Sequence, residues 1–224
     1  MPRTKRVTPG GMVFHALNRG VGRMKIFSTE RDYAAFEETV EETRRLYPMR
    51  ILAYCLMPNH WHFVLWPAGD GDLSAFLQRL TNTHTQRWQR AKKKVGHGHL
   101  YQARFKSFPV ETDDHFYTLV RYVERNALRA NLVEIAEGWR WGSLWQRVHS
   151  VRTPLLTDWP LSEPRNWAEI VNQPQTEAEV NAIRRSILRG CPYGNDDWVQ
   201  RTAPSLGLES TLRPRGRPKV IQKQ

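Results

Sequence analysis

Apolar positions along the chain switch between a strand-like and a helix-like period. Met12-Val13-Phe14-His15-Ala16-Leu17-Asn18 reads as a first strand, closed by Arg19-Gly20-Val21-Gly22. From about Glu30 to Leu46 the period lengthens. Tyr33, Phe36, Val40 and Leu46 fall at roughly helical spacing, and Pro48 ends the run. Met49 to Leu56 is a second strand that turns at Met57-Pro58-Asn59 into a third. Gly69-Asp70-Gly71-Asp72 breaks the chain, with Asp72 placed to cap a helix from Leu73 to about Ala91. Leu73, Phe76, Leu77, Leu80 and His84 share its inner face. Phe105 to Val110 supplies a fourth strand, and Thr112-Asp113-Asp114 opens a helix held to the sheet by Phe116, Leu119, Val120 and Val123. This order predicts an α+β sandwich: a ferredoxin-like antiparallel sheet with helices on one face. Such a sheet is a common platform for single-stranded nucleic acid, although fold alone does not give function.

The pattern changes at about Pro154, where Pro, Trp and polar residues take over. Thr176-Glu177-Ala178-Glu179 is a capping-box signature opening a short helix with Val180, Ile183 and Ile187 on one face. Gly190 ends that helix, and Asn195 or Asp196 can cap another. The pair is compatible with a helix-turn-helix and with ordinary packing, packing being favoured. The chain thus divides into residues 1–150, a helical C-terminal extension over 151–211 and a basic tail over 212–224.

Composition narrows the class. Thirty-four Lys+Arg face 22 Asp+Glu across 224 residues, for a formal net charge of +12, which favours a polyanionic partner, nucleic acid first. No run approaches the roughly 20 apolar residues needed to span a bilayer. The basic start has no hydrophobic stretch behind it, so a soluble, unexported, cytoplasmic and nucleoid-associated protein is expected. Cys55 and Cys191 form neither a disulfide framework nor a cysteine zinc pattern.

The chemistry-bearing residues lie in the third strand and the helix after Asp114. Alternation sends His60 and His62 to one sheet face and Trp61, Phe63 and Leu65 to the other. Two neutral imidazoles on one face make half a metal site, or are two hydrogen-bonded histidines at a sheet edge. Tyr122 and Asn126 stand four apart and share a helix face. A tyrosine hydroxyl is a poor nucleophile near neutral pH, and a divalent cation would help by polarising the phosphate it attacks. Tyr122 as an amphipathic core residue and Asn126 as a helix-terminal one is the other reading, and spacing alone does not choose. Tyr117 competes for the nucleophile's role, but lies about 140° around the helix from Tyr122, so both cannot face the histidines.

Read together, the motifs resemble those of the single-tyrosine HUH transposases, most closely the REP-associated tyrosine transposases. The likeness covers roughly Met12 to Trp145. Arg19-Gly20 is followed by Ile26-Phe27, then Met57-Pro58-Asn59-His60-Trp61-His62 and Tyr101-Gln102-x-Arg104-Phe105-Lys106. Tyr122-Val123-Glu124-Arg125-Asn126 and Arg129-Ala130-x-Leu132-Val133 complete the series. The resemblance implies that His60, His62 and Asn126 bind Mg2+ or Mn2+. It also implies that Tyr122 attacks a phosphodiester of single-stranded DNA, leaving a 5′-phosphotyrosyl link and a free 3′-hydroxyl for later strand transfer. Many relatives follow the tyrosine with Asn-Pro; here Ala127 follows Asn126, which alters only how the helix ends. The implied partner is a short DNA hairpin from a repetitive palindromic element, bound by a monomer or a homodimer.

Arg87, Arg90, Lys92, Lys93 and Lys94 concentrate positive charge at the end of the second helix and in the following loop, and Arg104 and Lys106 add to it before the catalytic helix. Such residues position phosphates and carry little sequence information. Trp88, Tyr101 and Phe105 are interleaved and available to stack unpaired bases, with core packing the expected fate of at least one. His84 and His115 have no assigned role. In the tail, Arg213, Arg215, Arg217 and Lys219 surround an Arg-Gly-Arg-Pro segment that reads equally as an AT-hook for a narrow minor groove and as a generic basic tail. Two further readings stay open beside the enzyme: an inactive or domesticated hairpin-binding protein, and an RNA-binding module of the same fold.

Overall fold

The computed structural model describes residues 6–96, 98–150 and 155–213. Four strands, β1 (Val13–Arg19), β2 (Arg50–Met57), β3 (His60–Trp66) and β4 (Lys106–Val110), form an antiparallel sheet in the order β2-β3-β1-β4. With α1 (Glu30–Leu46) between β1 and β2 and α2 (Asp72–Ala91) between β3 and β4, this is the expected ferredoxin-like arrangement. The α1 helix begins and ends where periodicity places it, because Thr29 and Asp32 form a reciprocal capping box. Asp72 does not cap α2. Gly71, in the left-handed region at φ 84°, takes that position, and the Asp72 carboxylate turns back to accept the Gly69 amide at 2.7 Å.

Helices cover both faces of the sheet rather than one. The α1 and α2 helices enclose a core with Phe14, Ala16, Tyr54, Trp61, Phe63 and Leu65. On the opposite face α3 (Asp114–Glu124), capped by Asp113, packs Phe116, Leu119, Val120 and Val123 against Val13, Leu52, Cys55, Val64 and Phe108. The reason is visible in β2, where Ile51 to Met57 are all buried. A strand that is apolar at every position needs cover on both sides.

After α3 come α4 (Asn126–Arg129), α5 (Ser143–Val148), α6 (Trp167–Asn172), α7 (Glu177–Arg189), α8 (Asp196–Ser205) and α9 (Glu209–Leu212). The capping box at Thr176 and Glu179, the left-handed Gly190 and the Asn195 cap all occur as read from the sequence. This extension packs rather than standing apart: Trp167, Val171, Ile183 and Tyr193 join the core beneath α3. It also occupies both sheet edges. Thr157 N–H donates to Ile51 O at 2.9 Å and Trp159 Nε1 to Leu52 O at 2.8 Å along β2. Beside β4, Tyr193 N–H donates to Pro109 O and Glu111 N–H to Tyr193 O, both at 2.9 Å. Unpaired strand edges are thereby closed to other chains.

The β2–β3 turn is pinned from below. Ile26 and Phe27 donate their amides to Pro58 O at 2.8 and 3.0 Å, and Gly20 donates to Asn59 O at 2.9 Å. Gly20 admits no side chain, since a Cβ would stand 2.5 Å from Met24 O. The separate sequence motifs around Arg19, Ile26 and Pro58 are thus one construction that presents His60.

Candidate active site at the histidine face

His60 and His62 share the α3 face of the sheet, with ring centroids 5.0 Å apart. Trp61, Phe63 and Leu65 point into the opposite core, as alternation requires. The His60 Nδ1 atom lies 2.6 Å from Asn59 Oδ1, and the Asn59 amide is oriented by its own donation to Arg23 O at 3.2 Å. An amide oxygen only accepts, so the His60 proton sits on Nδ1 and Nε2 keeps its lone pair.

His62 is set by a residue that sequence reasoning passed over. His15, fully buried in β1 and tilted against the Phe108 ring, places Nε2 2.9 Å from His62 Nδ1. The tautomer with the His62 proton on Nδ1, donated to His15, leaves His62 Nε2 to ligate and gives His15 a buried Nδ1–H with no partner among the described residues. A polar residue inside the apolar run Val13 to Leu17 was the signal that would have found it. Burial drives all three imidazoles towards neutrality. It lowers His15 to about 3 and lowers His60 to about 4, with Arg19 and Arg129 adding to the effect on His60. His62 is held well below its usual value by burial and then by His60 and His15. Neutral imidazole is the ligand form.

Tyr122, on the inner face of α3, sets its ring perpendicular to His62 with centroids 6.1 Å apart. Tyr117 is excluded from the site. Its hydroxyl donates to Ser162 O at 2.8 Å and its ring packs with Trp159 and Trp167. Asn126 does not lie on the same unbroken helix as Tyr122. The helix pauses at Arg125, and Asn126 begins the next turn as the first residue of α4. Arg129 brings the two together: its guanidinium lies 4.0 Å from the Tyr122 ring centroid and donates to Asn126 Oδ1 at 3.1 Å. The Asn126 Nδ2 group is buried without a partner among the described residues. Two neutral imidazoles with unengaged Nε2 atoms, beside an amide oxygen with a second lone pair, are a donor set that fits a divalent cation.

Beneath this site α3 is anchored by Glu124. Its buried carboxylate accepts from Ser143 Oγ and Trp167 Nε1, each at 2.6 Å, with Arg147 at 3.5 Å. Burial raises its pKa, against the opposing pull of Arg147. A second group of ligand-type side chains, Glu111, Asp113 and His115, lies at the other end of α3. Its carboxylates already serve protein donors: Glu111 holds Asn195 and Asp113 caps the helix.

The cations expected to meet DNA are dispersed. Arg87 ties α2 to α1 through Glu42 at 2.6 Å and Thr39 at 3.1 Å, and Lys92 pairs with Asp32 at 2.9 Å. Lys94 lies near the Trp88 ring, Lys106 donates to Ile187 O at 3.4 Å, and Arg90, Lys93 and Arg104 are exposed. Arg213 is the last described residue of the tail; Arg215, Arg217 and Lys219 lie outside the described residues. The guanidiniums that bear on the histidines are Arg19 and Arg129. Tyr101 and Phe105 are core residues rather than stacking platforms. Tyr101 is buried, accepting from Trp61 Nε1 at 3.0 Å and bonding His84 Nδ1 at 2.6 Å, which also makes His84 structural. Trp88 is half-buried, with its N–H donated to Ile26 O at 2.9 Å. Among the described residues, no helix is long and apolar enough to cross a membrane.

The sequence profile of the IS200-like transposases matches residues 10–126. A REP-associated tyrosine transposase of Escherichia coli K12 is 24% identical over 156 residues, covering 67% of this chain and 85% of the relative. A Haemophilus influenzae protein described in the same terms is 23% identical over 161 residues, covering 68% of this chain and 89% of its own length. Among solved structures, a REP-associated tyrosine transposase bound to a REP hairpin aligns with a TM-score of 0.54 at 18% identity. That alignment covers 79% of this chain and 100% of the other.

Proposed function

The chain belongs to the family of IS200-like transposases, and from that membership we propose that it cuts and rejoins single-stranded DNA at the foot of a hairpin, with Tyr122 as nucleophile. The observation that carries this reading is the Tyr122 ring set against His62, which is itself paired with His60. His60 Nε2, His62 Nε2 and Asn126 Oδ1 would hold Mg2+ or Mn2+, which polarises the scissile phosphate and stabilises its developing charge. Tyr122 Oη attacks phosphorus: the Oη–P bond forms, the bond to the 3′ oxygen breaks, and the phenolic proton passes to solvent. The departing 3′ oxygen takes up a proton, and the 5′ side remains on Tyr122 as a phosphotyrosine. A 3′-hydroxyl attacking that link reverses the sequence, re-forming a diester and freeing Tyr122. Arg19 and Arg129 supply the positive charge that draws the phosphate towards the imidazoles.

One observation favours a second reading, a hairpin-binding protein that does not cut: Arg129 already occupies the oxygen of Asn126. The two are separated with labelled hairpin DNA from repeats flanking the gene, incubated in Mg2+, Mn2+ or EDTA and run on a denaturing gel. Metal-dependent cutting by the wild type that is lost in Tyr122→Phe supports the enzyme. Tight binding without cutting in any metal supports the binder.

A further inference from the structure

A concavity lies away from Tyr122, on the opposite side of the sheet, between α2 and the segment leading into β4. Its volume is about 770 Å³, within the range of small-ligand sites. One wall is a helical stripe: Ser74, Gln78, Asn82 and Gln86 follow one another at intervals of four residues along α2. The stripe spans about 18 Å and carries no charge, on a chain of net charge +12. Exposed helix faces are ordinarily charged. Amides and hydroxyls offer donors and acceptors together, which matches the edges of bases and gives phosphates no charge to meet.

The floor repeats the pattern. Asn18 occupies a core-facing position of β1 and is 5% exposed. Its Oδ1 accepts the Arg19 amide at 2.9 Å, while its NH2 group opens into the concavity with no protein partner among the described residues. Gln102 faces the helix across the gap, fastened by its backbone N–H to Arg19 O at 2.9 Å, and two guanidiniums, Arg104 and Arg6 over the Phe105 ring, also line the cavity and can meet the backbone of a strand whose bases face α2. The buried rings of Tyr101 and Phe105 give the site a rigid apolar base. Asn18 and Arg19 are neighbours on one strand and point to opposite faces, so a single strand of nucleic acid leaving the histidine face beside Arg19 needs only to round the end of β1 to enter.

We propose that this groove binds unpaired bases of the single strand and supplies the sequence preference that phosphate-binding cations do not. The inference rests on the reading of the chain as a single-strand transposase and assigns to it a recognition site distinct from the chemistry.

The test uses the full chain carrying Tyr122→Phe, which binds without cutting, against the same chain with Asn82→Ala and Gln86→Ala added. Both added positions are exposed, and matching thermal melts verify the fold. Each protein is used to select from a randomised single-stranded DNA pool, and the winners are measured by fluorescence anisotropy. The parent should enrich a short motif. The variant should lose discrimination within it by at least about fivefold per lost contact, the low end of what a bidentate base contact contributes. Affinity for non-matching strands should change little. A third protein with Asn82→Asp, which exchanges a donor for an acceptor at constant shape and adds one negative charge, should alter the preferred base beyond a uniform loss of affinity for all strands. Selection of the same motif with the same discrimination by all three, or of no motif by the parent, overturns the groove proposal alone. A parent that binds no single strand overturns the transposase reading as well.

Discussion

At the scale of single residues, the site depends on groups that never touch DNA. His15 is the partner of His62 Nδ1, and a proton held on that nitrogen leaves His62 Nε2 as the ligand atom, so on the metal-site reading His15→Phe should weaken Mn2+ binding about 10- to 100-fold. His15→Gln keeps an acceptor near His62 and should lose less. Titration of the DNA-free protein followed by electron paramagnetic resonance of free Mn2+ measures both, and equal affinity in all three proteins would remove His15 from the account. The buried imidazoles also set a pH dependence. Burial lowers His15 and His84 to about 3 and, chiefly, His60 to about 4, while an unfolded histidine titrates near 6.5. Between those values the unfolded chain binds more protons, so stability present above about pH 6.5 is lost as pH falls towards 4. Thermal melts across that range should fall steadily, and a flat profile would contradict the burial of these rings. His60, His62, Tyr122 and Asn126 were all legible as a pattern of residue types. Arg129 stood in a quoted motif without a role, because its contact with Tyr122 follows from a helix break that the spacing does not reveal.

At the scale of elements, local chemistry was readable where it is self-contained. Helices α1 and α7 carry capping boxes within their own first turns, and their starts were legible for that reason. The side of the sheet taken by α3 is a tertiary choice. Its amphipathic stripe says that it packs and not where, although the uninterrupted apolar run of β2 demanded a partner on each face. Glu124 joins α3 to α5 and α6 through Ser143 and Trp167. Trp167→Phe keeps most of the buried ring and removes the donor, leaving a buried carboxylate short of a partner. It should cost about 1–3 kcal/mol in urea unfolding. No change in the midpoint would mean that Glu124 does not hold the helix that bears Tyr122.

At the scale of the whole molecule, the ferredoxin-like sheet places two candidate sites on opposite faces. One face carries the histidines, Tyr122 and two guanidiniums; the other carries a groove with a stripe of uncharged polar side chains on α2. The extension after residue 155 closes both sheet edges and completes the core under α3, a role that its mixed composition did not announce. The basic excess fits the transposase family, while two of the cations read from the sequence already have acidic partners. Arg87 and Lys92 are spent on α1, a contact made across many residues of sequence. The central claim, that Tyr122 is the nucleophile, is tested most directly by trapping the covalent product. Protein incubated with hairpin DNA and metal is digested with nuclease and trypsin, and the peptide bearing a nucleotide is identified by mass spectrometry. Cleavage after Arg121 and Arg125 releases Tyr122 on a peptide separate from Tyr117. The account predicts the nucleotide on Tyr122-Val123-Glu124-Arg125; a nucleotide on the Tyr117 peptide, or an adduct that persists in Tyr122→Phe, would contradict it.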